Sequence, residues 1–362
     1  MIYYFPRSLS EDQNIASAKR PLEVFNFLKG RKNEHDRFIH GNARERYQAN
    51  LNLIRELRNG FRPDYIYIES FNMPFFLHEI RKGSLFWLSD MWLFVMLKRY
   101  NVTFFMFYRD LYWRFPGFEI RGWKGVLKNT FHKIEWSFIA KYVDHILLPT
   151  QSIGEYLPPN KKKRLSLIPF HPGLQESTLS KPFTKKERAD DCISLLYVGG
   201  VLPPFYNLEF ALQLVNSSPK LKLTVCCREY EWVEVKDTFQ EYSFDQVTIV
   251  HKSGPDLEDL YDSHDVFLDL RLTEGYYKHA FPYKYIESIS YHLPLVIYSG
   301  GSAEQFVSEN KFGWVVDDIS GAIELFQELD VQDISERQQW IYENKKHVSW
   351  TERFKYLETF MK

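Results

Sequence analysis

The chain has 362 residues, of which 44% are hydrophobic and 26% charged, and it contains only 3 cysteines. At about 100–200 residues per domain this length predicts two domains, and the composition excludes collagen, long disordered tails and disulfide-stapled miniproteins. The net charge of −1 conceals an excess of 11 positive charges in residues 1–170 and of 12 negative charges in residues 171–362. Such a division favours two domains with different partners, or two solvated surfaces of opposite sign.

Six short apolar segments in the first half predict strands, and helical patterns lie between most of them. The strands are predicted at Ile2–Phe5, Asp36–His40, Tyr65–Glu69, Val102–Tyr108, His145–Pro149 and Leu165–Pro169. The helices are predicted at Ile15–Lys29, Arg44–Asn59, Ser84–Arg99, Gly122–Tyr142 and Ser152–Leu157. Strands that alternate with segments of helical length are typical of a parallel, doubly wound sheet. We assign residues 1–170 to this first domain.

Residues 171–191 lose this periodicity, carry several turn-forming residues, and are predicted to be a linker. Strands are then predicted at Ile193–Val198, Lys222–Cys226, Val247–His251, Val266–Leu270, Leu295–Tyr298 and Trp314–Val316. Helices are predicted at Leu208–Asn216, Glu231–Tyr242, Asp256–Ser263, Tyr283–His292, Ala303–Glu309 and Gly321–Leu329. We assign residues 192–347 to a second doubly wound domain. The tail is predicted to be helical from Ser335 to Lys362 and to pack back on the first domain from about residue 348.

Neither a secretory signal nor a membrane-spanning helix is predicted. The apolar run Ile2–Phe5 is too short for a signal sequence and lacks preceding positive charges. The best candidate for a spanning helix, Leu85–Leu97, is interrupted by Ser89 and Asp90. The cysteines form neither a disulfide framework nor a C-x-x-C zinc pattern. We expect a cytoplasmic protein, either soluble or peripheral on the inner face of the cell membrane.

Several loops that follow predicted strands carry residues suited to a phosphate or a sugar. Ligands bind doubly wound sheets at the carboxyl ends of strands, where the strand order reverses. Gly199 and Gly200 follow the first strand of the second half, where glycines allow close approach of a phosphate or only a tight turn. Pro282 suits the start of a helix on which Lys284 and Glu287 share one face, as ligand contacts or as a surface ion pair.

These motifs resemble the glycosyltransferases of the GT-B fold, and most closely the retaining enzymes of family four. The block Pro282-x-Lys284-x-x-Glu287 carries the resemblance, with Pro294-Leu295-Val296 and the turn Gly300-Gly301 after it. The resemblance implies an α/β chain of two Rossmann-like domains that face a cleft. It also implies that the second domain binds a nucleotide sugar and the first an acceptor.

The resemblance implies roles for individual residues of the second half. Glu287 would accept hydrogen bonds from the ribose hydroxyls, and Lys284 would contact the diphosphate or the sugar. The glycines placed beside the nucleotide are Gly199, Gly200, Gly300 and Gly301.

The sequence departs from the family in the residues that hold phosphate. The family's Arg and Lys of the first glycine loop are absent, so Arg228 and Arg271, which follow two predicted strands, are candidates for the missing positive charge. The family also has two glutamates with seven residues between them. Counted back from Glu287, His279 stands at the first of these positions, and Glu274, slightly upstream, is the candidate for the displaced glutamate.

In the first half, the strand Val102–Tyr108 runs directly into Arg109 and Asp110. The resembled family often has a His-Asp pair here, so Arg109 occupies the position of the histidine. We expect Asp110 to orient an acceptor or sugar hydroxyl and Arg109 to bind a phosphate. A structural ion pair at the end of the strand is the alternative.

The segment 121–142 predicts an amphipathic helix that either contacts an anionic membrane or packs on the sheet. Its apolar stripe is Trp123, Leu127, Phe131, Ile134 and Phe138, and its basic side chains are Lys124, Lys128 and His132. A basic run at Lys161–Arg164 would add to such a membrane contact.

Together these observations predict a glycosyltransferase that moves a hexose from a nucleotide-diphosphate sugar to a glycan acceptor. We expect the acceptor to be lipid-linked, the setting to be cell-surface polysaccharide synthesis, and the anomeric configuration to be retained. No metal cofactor is expected, because the sequence has no Asp-x-Asp triplet and no histidine cluster, and no nucleic-acid-binding module accompanies the basic half. The alternatives are a nucleotide-sugar epimerase of the same fold and a catalytically degenerate subunit.

Overall fold

We analysed a computed structural model that describes residues 1–9, 16–71, 85–109, 111–116, 122–159, 165–183, 191–203, 206, 208–271 and 274–361. Within it the chain forms two compact units. Unit 1 contains Met1–Pro172 and Arg353–Lys362, and unit 2 contains Gly173–Glu352. The predicted site residue Asp110 and the basic run 161–164 lie outside the described residues.

Unit 1 is built on a parallel sheet of six strands with the order β2-β1-β3-β4-β5-β6. The strands are β1 (Ile2–Tyr4), β2 (Arg37–Ile39), β3 (Tyr65–Glu69), β4 (Thr103–Phe107), β5 (His145–Leu148) and β6 (Ser166–Pro169). Each lies within one residue of its predicted ends. The strands are almost continuously apolar because both faces of the sheet are covered, as is usual for parallel sheets.

Helices cover both faces of the unit 1 sheet. They are α1 (Ala16–Gly30), α2 (Ala43–Arg58), α3 (Trp87–Arg99) and α4 (Trp123–Tyr142), with a 3₁₀ turn at Ser152–Tyr156. Helix α2 packs on α3, and α3 packs on α4. Since these connections run in the same direction across the sheet, right-handed crossovers place the three helices on one face.

Unit 2 repeats this architecture with the strand order β12-β11-β10-β7-β8-β9. Its strands are β7 (Ile193–Val198), β8 (Leu221–Cys226), β9 (Val247–Val250), β10 (Val266–Asp269), β11 (Leu295–Tyr298) and β12 (Gly313–Val316). All neighbouring pairs are parallel. The structure therefore confirms the predicted pair of doubly wound sheets.

The helices of unit 2 divide its core into two layers. They are α5 (Glu176–Leu179), α6 (Glu209–Asn216), α7 (Glu229–Val235), α8 (Glu258–Ser263), α9 (Tyr283–Ser290), α10 (Glu304–Asn310), α11 (Ile319–Glu328) and α12 (Val331–Asn344). One buried cluster joins α6 and α11 to the sheet, and another joins α8, α9 and α10 to the opposite face. Helix α9, which carries the predicted Lys284 and Glu287, is thereby fixed against β7, β10 and β11.

Two predictions about the connections between the units need correction. The stretch 171–191 is not a plain linker, since it contains α5 and a β-bridge between Leu174 and Ser349. The tail is not one helix, because Ser349 adopts an extended backbone between a 3₁₀ turn and α13 (Trp350–Glu358). Past residue 352 the tail belongs to unit 1, where Phe354 packs against Phe170.

Both faces of helix α4 carry apolar side chains, and the face that contains His132 is the buried one. The sheet-facing side contains His132 and Glu135, which are both 4% exposed, together with Trp136. Of the predicted apolar stripe, Trp123 is 71% exposed and Ile134 is 53% exposed. Phe138 is partly buried and stacks on Phe94, so only part of the stripe packs inside unit 1. The prediction that the stripe packs on the sheet is wrong for Trp123 and Ile134, and so is the placement of His132 among the basic surface residues.

Candidate functional site

The order of the unit 2 strands reverses between β7 and β10. From β7 the chain proceeds to β8 on one side, whereas β10 pairs with β7 on the other side. Connections from two adjacent strands that leave in opposite directions open a crevice at their carboxyl ends, which is where doubly wound sheets bind ligands. The residues that follow β7 and β10 and the start of α9 meet at this edge.

Lys284 brings a positive charge to the end of β7. Pro282 occupies the cap position of α9, and two residues later the Lys284 ammonium donates a hydrogen bond to the carbonyl of Val198. Burial lowers the pKa of Lys284 to about 8, although Glu287 opposes this shift. A lysine in this state changes charge close to neutral pH, and an anionic ligand would favour its charged form.

Glu287 lies on the same face of α9 as Lys284, three residues along the helix. The hydroxyl of Tyr261 donates a hydrogen bond of 3.0 Å to its Oε2. The ring of Tyr261 stacks in turn on that of Tyr291, with 5.3 Å between centroids. These contacts orient a carboxylate of the kind that accepts hydrogen bonds from vicinal hydroxyls.

Arg271 forms a two-point ion pair directly after β10. Its Nε and Nη2 donate to the two carboxylate oxygens of Asp269 at 2.6 and 2.5 Å. The hydroxyl of Tyr285, on α9, donates to the same carboxylate at 2.9 Å. The guanidinium lies 5.6 Å from the ring centroid of Tyr206 and 6.0 Å from that of Tyr277. Asp269 was missed by the sequence analysis, although a carboxylate that ends an apolar strand is a usable signal.

A small cavity of about 30 Å³ brings several predicted residues together at this edge. Arg271, Pro282 and Gly301 line it, together with Asp269 and Ser302. The backbone of Ser302 is held by the carbonyl of Lys278 at 2.8 Å. The turns after β10 and β11 and the start of α9 therefore form one contiguous wall.

The glycine loop after β7 is folded against its own neighbours. A Cβ on Gly199 would lie 2.7 Å from the hydroxyl of Tyr197, and a Cβ on Gly200 would lie 2.7 Å from the ring of Tyr206. The Tyr197 hydroxyl also donates to the carbonyl of Gly200 at 2.6 Å. Packing of these tyrosines is thus a sufficient reason for both glycines.

Arg228 is linked to this loop indirectly, through Glu231. It forms an ion pair with Glu231, whose Oε2 also accepts a hydrogen bond of 3.0 Å from the backbone of Val201. The Arg228 side chain is 67% exposed, and it does not line the cavity beside Arg271. Of the two arginines predicted to replace the missing positive charge, Arg271 lines the cavity and Arg228 does not.

The second glycine turn follows β11. Gly300 has a φ of +77°, a backbone conformation that L side chains rarely adopt, and its amide donates to the Glu304 carboxylate at 2.7 Å. Gly301 lies in the cavity wall, whereas Gly300 is exposed. Only the second glycine of this predicted pair thus lines the cavity.

His279 and Glu274 occupy opposite ends of the 3₁₀ turn Gly275–His279. His279 is buried, while Glu274 precedes the turn and is exposed. The turn therefore gives the two predicted residues different environments, and neither lines the cavity at the edge.

In unit 1, Arg109 follows β4 at the carboxyl edge of the sheet. Its backbone amide donates to the Ser70 hydroxyl at 2.9 Å. The neighbouring strand β3 ends at Glu69, which is fully buried and accepts hydrogen bonds from Tyr67 at 2.7 Å and from Arg20 at 3.2 Å. Burial raises the pKa of Glu69, and Arg20 opposes that shift. The sequence analysis singled out neither Glu69 nor Arg20.

In the described part of the chain, no group of three or more His, Cys, Asp or Glu side chains is placed to hold a metal ion. Among the helices of these same residues, none is both long and apolar enough to cross a membrane.

Comparison with known proteins gives a structural likeness only. No protein-family model and no curated protein sequence matches the chain. Sucrose-phosphate synthase from Thermosynechococcus elongatus superposes with a TM-score of 0.62 at 13% identity, over 99% of this chain and 96% of that one. HepE from Anabaena, in complex with UDP-glucose, gives 0.58 at 8% identity over 99% of both chains. The lipopolysaccharide outer core galactosyltransferase WaaB gives 0.56 at 12% identity, over 99% of this chain and 98% of that one.

The fold is that of the GT-B glycosyltransferases. This confirms the predicted fold class over nearly the whole chain. At such low identity the likeness does not extend to family four or to a substrate.

Proposed function

We propose that this chain is a glycosyltransferase that moves a hexose from a nucleotide-diphosphate sugar to a glycan acceptor. The observation that carries the proposal is the meeting of Lys284, Glu287 and the Arg271–Asp269 pair where the strand order of unit 2 reverses. A cation for the diphosphate and a carboxylate for the ribose are what a nucleotide sugar requires at such an edge.

In this proposal different residues of unit 2 bind different parts of the donor. Lys284 neutralises charge on the diphosphate as the bond to the sugar breaks, and Arg271 contributes a second positive charge from the turn after β10. Glu287, oriented by Tyr261, accepts the ribose hydroxyls. Gly301 leaves room for the nucleotide beside the cavity. Arg228, paired with Glu231, would act on the donor only by changing partner.

The finer parts of the proposal concern the outcome and the acceptor. We propose retention of the anomeric configuration, with the departing phosphate assisting same-face attack, and no resident metal. Arg109 and Asp110 would act on the acceptor side, and His279 would contact the sugar. The proposed acceptor is lipid-linked, and the proposed setting is cell-surface polysaccharide synthesis. Residues 121–142 would contact the membrane. A galactosyltransferase of the lipopolysaccharide core among the structures with this fold supports that setting.

The first experiment measures thermal stabilisation by UDP, GDP, ADP and their common sugars, with UDP-glucose first because HepE binds it. It compares the wild type with Glu287→Ala and with Glu324→Ala, a matched control because Glu324 is exposed on α11 and has no role in the proposed site. We expect one nucleotide to stabilise the wild type and the control. We expect about tenfold weaker binding for Glu287→Ala, because it loses charge-assisted hydrogen bonds to the ribose.

The outcomes separate the competing functions. If no nucleotide stabilises the protein, the donor-site assignment is wrong and a catalytically degenerate subunit is favoured. Binding followed by interconversion of the free sugar nucleotide would favour the epimerase, and release of the nucleotide only in the presence of an acceptor glycan supports the transferase.

A further inference from the structure

Two neighbouring helices of unit 1 expose large apolar side chains. Helices α3 and α4 pack against each other, and the rings of Phe94 and Phe138 stack with 6.0 Å between centroids. Leu85 is 71% exposed, and Val126 is 68% exposed. The full set, named the docking face below, is Leu85, Phe86, Leu88, Trp92, Trp123, Val126, Leu127 and Ile134.

These side chains form a stripe on each helix. Leu88 and Trp92 on α3 are four residues apart, and Trp123, Leu127 and Ile134 on α4 follow a spacing of four and seven, whereas Leu85 and Phe86 directly precede α3. Such spacings keep the side chains on one helix face. The inward faces of both helices are filled by other residues, so packing within unit 1 does not account for the docking face.

The charges on the two helices follow the opposite pattern. Their only acidic residues, Asp90 and Glu135, are both buried. Asp90 accepts hydrogen bonds from Arg46 at 3.1 Å and from Asn50 at 2.6 Å. The exposed charges on the two helices are all positive, and they are Arg99, Lys124, Lys133 and Lys141.

Burial of His132 shows how firmly this orientation is fixed. Its ring stacks on Trp113 with 5.1 Å between centroids, and burial lowers its pKa to about 4. Neither ring nitrogen hydrogen-bonds to a described residue. The helix thus buries a neutral histidine and a glutamate beside Trp136 and Ile139, while a second set of apolar side chains, which includes Trp123 and Ile134, faces outward.

We propose that the docking face binds a bilayer that contains anionic lipids. Exposed apolar side chains would enter the boundary between headgroups and acyl chains, the two tryptophans suit that boundary, and the cations would lie at the headgroups. The described residues of these helices expose cations and no carboxylate, a charge complementary to anionic headgroups. The inference deepens the membrane contact proposed for residues 121–142 by adding α3 and the charge of the lipid, and it rests on the proposed function for its purpose, which is to bring the enzyme to a lipid-linked acceptor.

The test measures cosedimentation of the full chain with vesicles of phosphatidylcholine, with and without phosphatidylglycerol. We expect binding to the mixed vesicles and weaker binding to pure phosphatidylcholine. The double variant Trp92→Glu and Trp123→Glu should bind at least about tenfold more weakly, because two apolar anchors are replaced by charges that anionic lipid repels. Lys124→Glu and Lys133→Glu should each lose about fivefold on mixed vesicles only.

A matched control places the same change elsewhere. Tyr230→Glu with Val233→Glu alters two side chains of α7 that are 63% and 58% exposed, and should leave vesicle binding unchanged. Nucleotide-induced thermal stabilisation of every variant reports folding and the donor site separately. Equal binding of the Trp92/Trp123 variant and the wild type would overturn the proposal. The proposal would also be overturned if the wild type bound neither kind of vesicle, or if it dimerised through the docking face.

Discussion

The carboxyl edges of the two sheets hold their charges in different ways. In unit 1, Arg20 is 2% exposed and Glu69 is not exposed at all, and the ring of Phe107 lies 3.5 Å from the guanidinium. In unit 2, Arg271 and Lys284 are only partly buried and come from loops or a helix start. An ion pair sealed under aromatic rings serves the fold, whereas partly buried cations on converging loops are placed to meet a ligand.

This difference also separates the surfaces that the units offer. The proposed work of unit 2 lies at the edge of its sheet, where charged groups converge. The distinctive surface of unit 1 lies on the outer side of α3 and α4, where the acidic groups face inward. If both proposals hold, the basic half and the acidic half of the sequence correspond to two different kinds of contact.

The largest expected effect tests whether the sealed pair is structural. Glu69→Ala leaves Arg20 in apolar surroundings without its carboxylate, and should lower the free energy of unfolding by about 3–5 kcal/mol. Arg228→Ala, which breaks an ion pair whose arginine is exposed, should cost less than about 1 kcal/mol. Urea denaturation followed by tryptophan fluorescence measures both. Similar losses of unfolding free energy in the two variants would contradict the structural role assigned to the buried pair of unit 1.

A smaller effect tests why the loop after β7 needs glycine. A Cβ at Gly200 would stand 2.7 Å from the Tyr206 ring and 3.2 Å from Glu231 Oε2, so Gly200→Ala must displace the ring. We expect a loss of about 1–3 kcal/mol in the free energy of unfolding. Gly30→Ala is the control, since no atom lies within 4 Å of its Cβ position, and should be neutral or stabilising by up to about 1 kcal/mol. An unchanged Gly200→Ala would mean that the loop moves freely.

The smallest effect concerns pH and sharpens the role of Lys284. Because burial lowers its pKa to about 8, Lys284 loses its charge as the pH rises through that value. Nucleotide-diphosphate binding should then weaken by up to about tenfold per pH unit above pH 8. Lys284→Arg keeps its charge throughout and should give a flat profile after the titration of the nucleotide base is subtracted. Calorimetry between about pH 7 and pH 9.5 makes the comparison, and identical profiles would separate Lys284 from the diphosphate.

Much of the fold and part of the site could be predicted from the sequence. The strands were located within one residue of their ends because central strands of a parallel sheet are apolar runs bounded by turn residues. Pro282, Lys284 and Glu287 were predicted from a motif that resembles the GT-B enzymes, and Arg271 from its place after a strand. Of these four, Pro282 and Arg271 line the cavity. Asp269 was missed because its importance comes from contacts with Arg271 and Tyr285.

The sequence by itself determined where strands and helices lie, because the alternation of apolar runs and helical patterns is a local property of the chain. Only the tertiary structure decided which face of α4 turns inward, since Trp136 and Ile139 on one side and Trp123 and Ile134 on the other give both faces apolar residues. It also decided that Arg271 pairs with Asp269 and that Arg228 stays outside the cavity. These outcomes depend on distances between strand ends, which spacing along the chain does not contain.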